Sequence, residues 1–233
     1  MATQQAVLDA IAANLSNIDT PGFRVDRPEF AALIDENSRS AGPLAQTSQR
    51  LFSQGKLEST NNAFDLAIDG EGFFEVRTAS GTLAYTRAGN FTPDAMGRLR
   101  LPNGAALTNV RLQSGALGVT FGLDGRIQVH TPGRKETVDA GRVALCAFAN
   151  NPALRLGSDG LFYATRGAGK VFRGAPGSGG FGELKQHTLE RANVNVVGAM
   201  MAVLAAQRAY EANAKSVQAA DEMLRLANNL ERG

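Results

Sequence analysis

The sequence predicts an α+β protein. N- and C-terminal helices pair as a coiled coil and carry between them an inserted β-rich domain of mostly antiparallel strands. Three observations lead to that expectation. Apolar residues recur at helical spacing near the N-terminus. They recur with a period of seven near the C-terminus. Between these ends, aspartate-glycine and other turn signals alternate with β-type runs.

The first helix is expected over residues 1–19, where Val7, Leu8, Ile11, Leu15 and Ile18 form one apolar stripe. Thr20-Pro21-Gly22 should end it, because proline disfavours helix in the residue before it and glycine supplies turn geometry. FDLAIDGEGFFEV, Phe64–Val76, holds two apolar runs joined at Asp69-Gly70-Glu71-Gly72, which predicts a hairpin. FTPDAMGRLRL from Phe91, FGLDGRIQV from Phe121 and LGSDGLFYA from Leu156 each place an aspartate and a glycine before a β-type run, as successive β-turns would. RVALCAFA, Arg142–Ala149, predicts a buried strand, and GAPGSGGFG, residues 174–182, a flexible loop or linker.

From about Thr188 the chain is expected to be helical. Leu189, Val196, Val203, Tyr210, Val217 and Leu224 lie on one heptad line. Ala192, Ala199, Ala206, Asn213, Ala220 and Ala227 follow each of them by three residues. A large and a small seam position let helix backbones approach closely. Pairing the two amphipathic ends buries both stripes. The domains expected are a helical one of residues 1–34 plus 186–233, a connecting segment of 35–63, and a β domain of 64–185.

Composition narrows the function. In 233 residues the net charge is +2, with Lys and Arg scattered, which disfavours nucleic acid as a partner. The local cluster Arg166–Arg173 reads as a solvated loop, and Asp65 and Asp69 as solvated turn or edge residues. No run of apolar residues is long enough to span a membrane, and the N-terminus carries no ordinary signal peptide. The single cysteine, Cys146, excludes an internal disulfide and lies in an apolar run, where it reads as a core residue rather than a nucleophile.

Chemistry-bearing motifs are missing. Gly169-Lys170 is followed by Val171, so no phosphate loop forms. Gly70-Glu71-Gly72 begins a dinucleotide-type pattern that fails at Glu75. His130 and His187 lack partners at metal spacing. The expectation is therefore no catalytic residues, no cofactor, no metal and no small-molecule substrate. An enzymatic or carbohydrate-binding β domain with coiled-coil ends is the alternative, weakened by the absence of Trp and of any polar constellation.

Four segments, in order, carry a resemblance. AIAANLSNIDTPGFR, Ala10–Arg24, closely resembles the N-terminal signature of bacterial flagellar rod and hook proteins. FDLAIDGEGFFEV is similar to the start of that family's β domain, and YTRAGNFTPDAMGRL, Tyr85–Leu99, to its next motif. LERANVNVVGAMMAVLAAQRAYEANAKSVQAADEML, Leu189–Leu224, resembles its C-terminal signature, and its second half is more like the distal rod and hook members than the proximal ones. The resemblance implies a structural tube protein whose termini pack as the inner coiled coil and whose β domain lies outside. It implies a helical homo-oligomer in the periplasm-spanning rod, exported without a cleaved signal. The partners it implies are adjacent rod and hook proteins, the ring proteins around the rod and the flagellar export apparatus. Two departures stand out. The helix begins only about nine residues before the signature, as if the start were internal or the inner helix short. Residues 35–63 are also short and polar.

The subunit interfaces expected on this basis are Ile11, Asn14, Leu15, Asn17, Ile18, Thr20, Pro21, Gly22 and Phe23 at the N-terminus. At the C-terminus they are Val196, Val203, Tyr210, Asn213, Val217 and Leu224. Asn14, Ser16, Asn17 and Asp19 offer short side chains that bond backbone, either locally or in a neighbouring subunit. Replacing Gly22 with a β-branched residue is expected to stop rod assembly while leaving the isolated β domain folded.

Overall fold

The computed structural model describes residues 2–31, 45–112, 118–130 and 138–230. The chain forms two compact units. One comprises Met1–Asn17, Asp26–Gln49 and Val194–Gly233, the other Ile18–Val25 and Arg50–Asn193. The expected boundaries shift accordingly. Residues 18–25, 50–63 and 186–193 belong with the β domain. The first part of the expected connecting segment, residues 35–44, lies outside the described residues.

The first unit holds helix α1 (Ala2–Ser16), the two-stranded ribbon of β1 (Asp26–Ala31) and β2 (Ala45–Arg50), and helix α2 (Val196–Leu230). α1 packs against α2 and β1. Val7, Leu8, Ile11 and Leu15 on α1 are half-buried, as are Val196, Ala199, Val203 and Ala206 on α2. α1 ends at Ser16, three residues before the expected stop, and Ile18 lies in the turn beyond it. α2 starts later than expected. Thr188–Glu190 is a strand, and the helix begins only after Asn195, whose Oδ1 accepts the Gly198 N–H at 3.0 Å as an N-cap. Leu189 is therefore not on the heptad line.

The second unit is built of strands β3 (Leu57–Ser59), β4 (Leu66–Asp69), β5 (Phe73–Arg77), β6 (Leu83–Thr86), β7 (Thr92–Pro93), β8 (Leu99–Arg100), β9 (Ala106–Leu107), β10 (Gly118–Phe121), β11 (Arg126–His130), β12 (Val138–Arg142), β13 (Leu145–Phe148), β14 (Arg155–Leu156), β15 (Phe162–Tyr163), β16 (Val171–Gly174), β17 (Glu183–Gln186) and β18 (Thr188–Glu190). Its largest sheet runs β14-β15-β6-β5-β9-β8-β7, with β13 inserted between β5 and β16. β10-β11-β12 form a separate meander, and β17 pairs β4 while β18 pairs β3. Every recorded pairing is antiparallel. One apolar core gathers Leu66, Ile68, Phe74, Phe91, Leu99, Ile127, Leu145 and Leu184; a second, aromatic one is formed around Phe73, Tyr85, Phe148 and Phe162.

The three aspartate turns form hairpins, β7–β8, β10–β11 and β14–β15. In each, the aspartate Oδ1 accepts the N–H two residues on: Met96 at 2.9 Å, Arg126 at 3.2 Å and Leu161 at 3.2 Å. The expected hairpin at Asp69–Gly72 does not form. β4 pairs with β17 and β5 with β6, so Asp69–Gly72 carries the chain from one sheet to another. Both flanking runs are buried along nearly their whole length, which suits strands covered on both faces rather than a half-exposed ribbon.

Three further expectations are corrected. Arg166–Arg173 is solvated as expected at Arg166, Lys170 and Arg173, but it is not a plain loop. It holds a short 3-10 turn and the start of β16, and Arg173 pairs with Glu75 at 2.6 Å. Asp65 is buried and held by Asn62 Nδ2 at 2.9 Å. Residues 174–182 lie within one unit and are tied down. Gly182 N–H donates to Glu71 O at 2.8 Å, Gly177 N–H donates to Gly182 O at 2.9 Å, and Phe181 packs on the core. Cys146 is a core residue. Burial is the main cause that pushes its thiol up to about 12, with the Glu75 carboxylate beside it adding to the effect.

Candidate assembly site

In the second unit the four segments singled out by sequence converge on one buried ionic cluster. Glu190, from the C-terminal segment, accepts a bond from Arg24 Nη2 at 2.7 Å and from the Gly55 N–H at 2.8 Å on one oxygen. Its other oxygen faces Arg87 Nη1 at 3.3 Å. Arg87, from the Tyr85–Leu99 segment, also donates to Gly70 O at 2.7 Å and to Ile68 O at 3.4 Å, both in the Phe64–Val76 segment. Arg24, Arg87 and Glu190 are all buried. Burial lowers the proton affinity of Arg87, partly offset by Glu190, yet a guanidinium stays charged in proteins. Two cations thus share one anion. Arg24 Nε, Arg24 Nη1 and Arg87 Nε have no protein partner, and Arg87 lies 5.5 Å from the centre of the Phe73 ring.

The turn segment 18–25 is fastened to the C-terminal segment by further bonds. Gly22 N–H donates to Glu190 O at 2.8 Å. Asn193 Oδ1 accepts the Val25 N–H at 2.7 Å, and its Nδ2 donates to Leu51 O at 2.9 Å and Ser53 O at 3.0 Å. Arg191 bonds Asp19 at 2.9 Å and Glu58 at 2.7 Å. Gly22 sits at φ +71°, and a Cβ there would fall inside the van der Waals envelope of the Ala88 nitrogen and the Arg87 carbonyl carbon. A β-branched residue at 22 would therefore press on the β domain itself as well as on any subunit joint. Gly22 belongs to that domain, and its backbone is wedged against it.

The N-terminal residues proposed for the interface divide between the two units. Ile18, Thr20, Pro21, Gly22 and Phe23 belong to the second. Thr20 is exposed, Gly22 is buried, and Ile18, Pro21 and Phe23 are half-buried. Ile11, Asn14, Leu15 and Asn17 belong to the first. Asn14 is buried, and its amide spans the Asp26 backbone, donating to Asp26 O at 2.7 Å and accepting Asp26 N–H at 2.9 Å. Asn17 Nδ2 donates to Ala13 O at 2.9 Å. The polar run after the helix is thus engaged within the chain.

In the first unit the C-terminal seam changes character along α2. Val196 and Val203 are half-buried; Tyr210, Asn213 and Val217 are exposed, Val217 at 56%. Leu224's side chain lies outside the described residues. The cause is length. α1 has 15 residues and α2 has 35, about 22 Å against about 52 Å, so α1 can line less than half of α2. Sequence reasoning missed a second apolar face, Val197, Met200, Met201 and Leu204, all exposed and about 100° round the helix from the seam. The MMAVL run was its only signal. It also missed Arg24, Arg87 and Glu190, which lie in the very segments that drew attention. Among the described residues no helix is long and apolar enough to cross a membrane, and no His, Cys, Asp and Glu cluster fits a metal ion.

Residues 1–24 match the family model described as flagella basal body rod protein, and residues 67–129 the flagellar hook protein FlgE/F/G D1 domain. Residues 185–230 match the flagellar basal body rod FlgEFG protein C-terminal model. The chain is 37% identical to flagellar basal-body rod protein FlgG of Borreliella burgdorferi, over all of this chain and 96% of the relative. It is 32% identical to FlgG of Caulobacter vibrioides, over 99% and 95%. It is 31% identical to the rod protein FlgF of Escherichia coli, over 97% and 92%.

Proposed function

The chain belongs to the flagellar basal-body rod protein family and is a structural subunit of that rod, and we propose that it builds the distal rod. In this reading the subunits polymerise helically into the shaft that links motor to hook. The observation that carries the polymerisation is the uncovered apolar surface of α2. Val197, Met201 and Leu204 on one flank and Tyr210 and Val217 on the seam are exposed in the single chain, and exposed apolar surface of this extent marks an association site. Neighbouring subunits cover the part of α2 that α1 does not line. The expected interface residues Ile11, Leu15, Ile18, Thr20, Pro21, Phe23, Val196, Val203, Tyr210, Asn213, Val217 and Leu224 serve these lateral contacts, whereas Asn14 and Gly22 hold the chain's own turn. The subunit reaches the periplasm through the flagellar export apparatus. It meets the adjacent rod and hook proteins and the surrounding rings.

The similarity to FlgG proteins supports the distal position. The similarity to Escherichia coli FlgF favours a second reading, a proximal rod subunit. Electron microscopy of basal bodies from a strain lacking the gene separates the two. Short rods without outer rings and hook are the distal result, and a membrane-embedded base alone is the proximal one. Complete basal bodies would contradict both.

A further inference from the structure

The ionic cluster and α2 leave one charged feature of the β domain unused. A cavity of about 690 Å³ opens in the second unit, and four arginines line it: Arg77 at the end of β5, Arg98 and Arg100 flanking Leu99 of β8, and Arg111 beyond β9. Among the described residues none of those lining it is acidic. Arg98 Nε and Arg100 Nε both donate to Asp94 Oδ2 at 2.8 Å, so one carboxylate orients the pair through its Nε edges. The Arg98 terminal nitrogens make no bond among the described residues, and Arg111 has no side-chain partner there. Arg77 is exposed and spends one nitrogen on Gly81 O at 2.9 Å. The one carboxylate of Asp94 leaves four cations around the concavity with an excess of positive charge, and guanidinium forks match carboxylates bidentately.

We propose that this cavity binds a carboxylate-rich peptide segment of a neighbouring protein chain. Two observations favour a peptide over a compact ion. The guanidiniums come from three separate stretches of chain around a cavity the size of a multi-atom ligand, so they suit charges spaced along a strand of chain. Asp94 is also an internal precedent for a carboxylate shared by two of these arginines. That the segment comes from another chain of the assembly rests on the rod reading; the binding chemistry does not.

The test is a titration of the full-length monomer with hexaglutamate at low salt, followed by calorimetry and by backbone amide shifts, with pyrophosphate as a second probe. The proposal predicts saturable hexaglutamate binding that weakens with salt and shifts the amides of Arg77, Gly81, Gly104 and Thr108. Arg77→Gln with Arg111→Gln, two exposed positions outside the Asp94 network, should bind at least tenfold more weakly with an unchanged melting temperature. No saturable binding, equal binding by the double variant, shifts confined to another surface, or binding of pyrophosphate alone would overturn it. The monomer assay reads no assembly, so its failure leaves the rod reading untouched.

Discussion

Arg24 and Glu190 are separated by most of the chain, yet Arg24 Nη2 lies 2.7 Å from Glu190 Oε1 with both side chains fully buried. The pair locks the turn segment that follows the N-terminal helix to β18, the strand that precedes the C-terminal one. Removing Glu190 leaves two buried guanidiniums without the carboxylate that both of them bond. Breaking a buried pair from one side costs about 3–5 kcal/mol. Glu190→Gln should therefore lower the melting temperature of the β domain sharply. Arg24→Met made in the Glu190→Gln background should cost much less than it does in the wild type. Thermal unfolding of the two single variants and the double variant measures that coupling, and additive losses would contradict it.

Gly22 gives a second, independent test of the same joint. Gly22→Ala must place a Cβ against the Arg87–Ala88 backbone at positive φ. Gly81, at φ +84° with open space around it, supplies the control. Gly81→Ala should cost about 1 kcal/mol, the ordinary penalty of a left-handed alanine. Gly22→Ala should cost more than that in chemical denaturation, and equal losses would show that the close approach does not matter.

These two sites show what the sequence made legible and what it did not. The aspartate-glycine turns were readable because each is local: an aspartate side chain bonds the backbone two residues on, whatever the rest of the chain does. The Asp69–Gly72 crossover was not. Two apolar runs beside glycines look the same whether the strands pair with each other or with partners over a hundred residues away, as β4 does with β17. The Arg24–Glu190–Arg87 cluster was hidden for the same reason, since nothing within any one segment says which distant charge it meets. The long heptad helix was legible as a pattern, but not its start, because Thr188–Glu190 answers to pairing with β3 rather than to its own periodicity.

Asp94 carries a pH prediction. Bonds from Arg100 first, then from the Arg98 backbone and side chain, hold its carboxyl well below the usual carboxylate range. A depressed folded pKa stabilises the protein above the unfolded value of about 4 and loses that stabilisation as pH falls through the folded one. Asp94→Asn should therefore melt below the wild type at pH 7, with the gap narrowing as the pH drops under 4. A gap that stays constant down to pH 2 would show that the β7–β8 turn does not depend on the charge.

The central claim is that neighbouring subunits cover the part of α2 that α1 leaves bare. The most direct measurement is maleimide labelling of Val217→Cys in purified monomer and in purified basal bodies. Cys146, buried and with its thiol pushed up to about 12, should stay silent in both and so leave a clean background. The account predicts rapid labelling at 217 in the monomer and protection in the basal body. Equal labelling in both would mean that this face of α2 remains open in the rod and that the shaft is held together elsewhere.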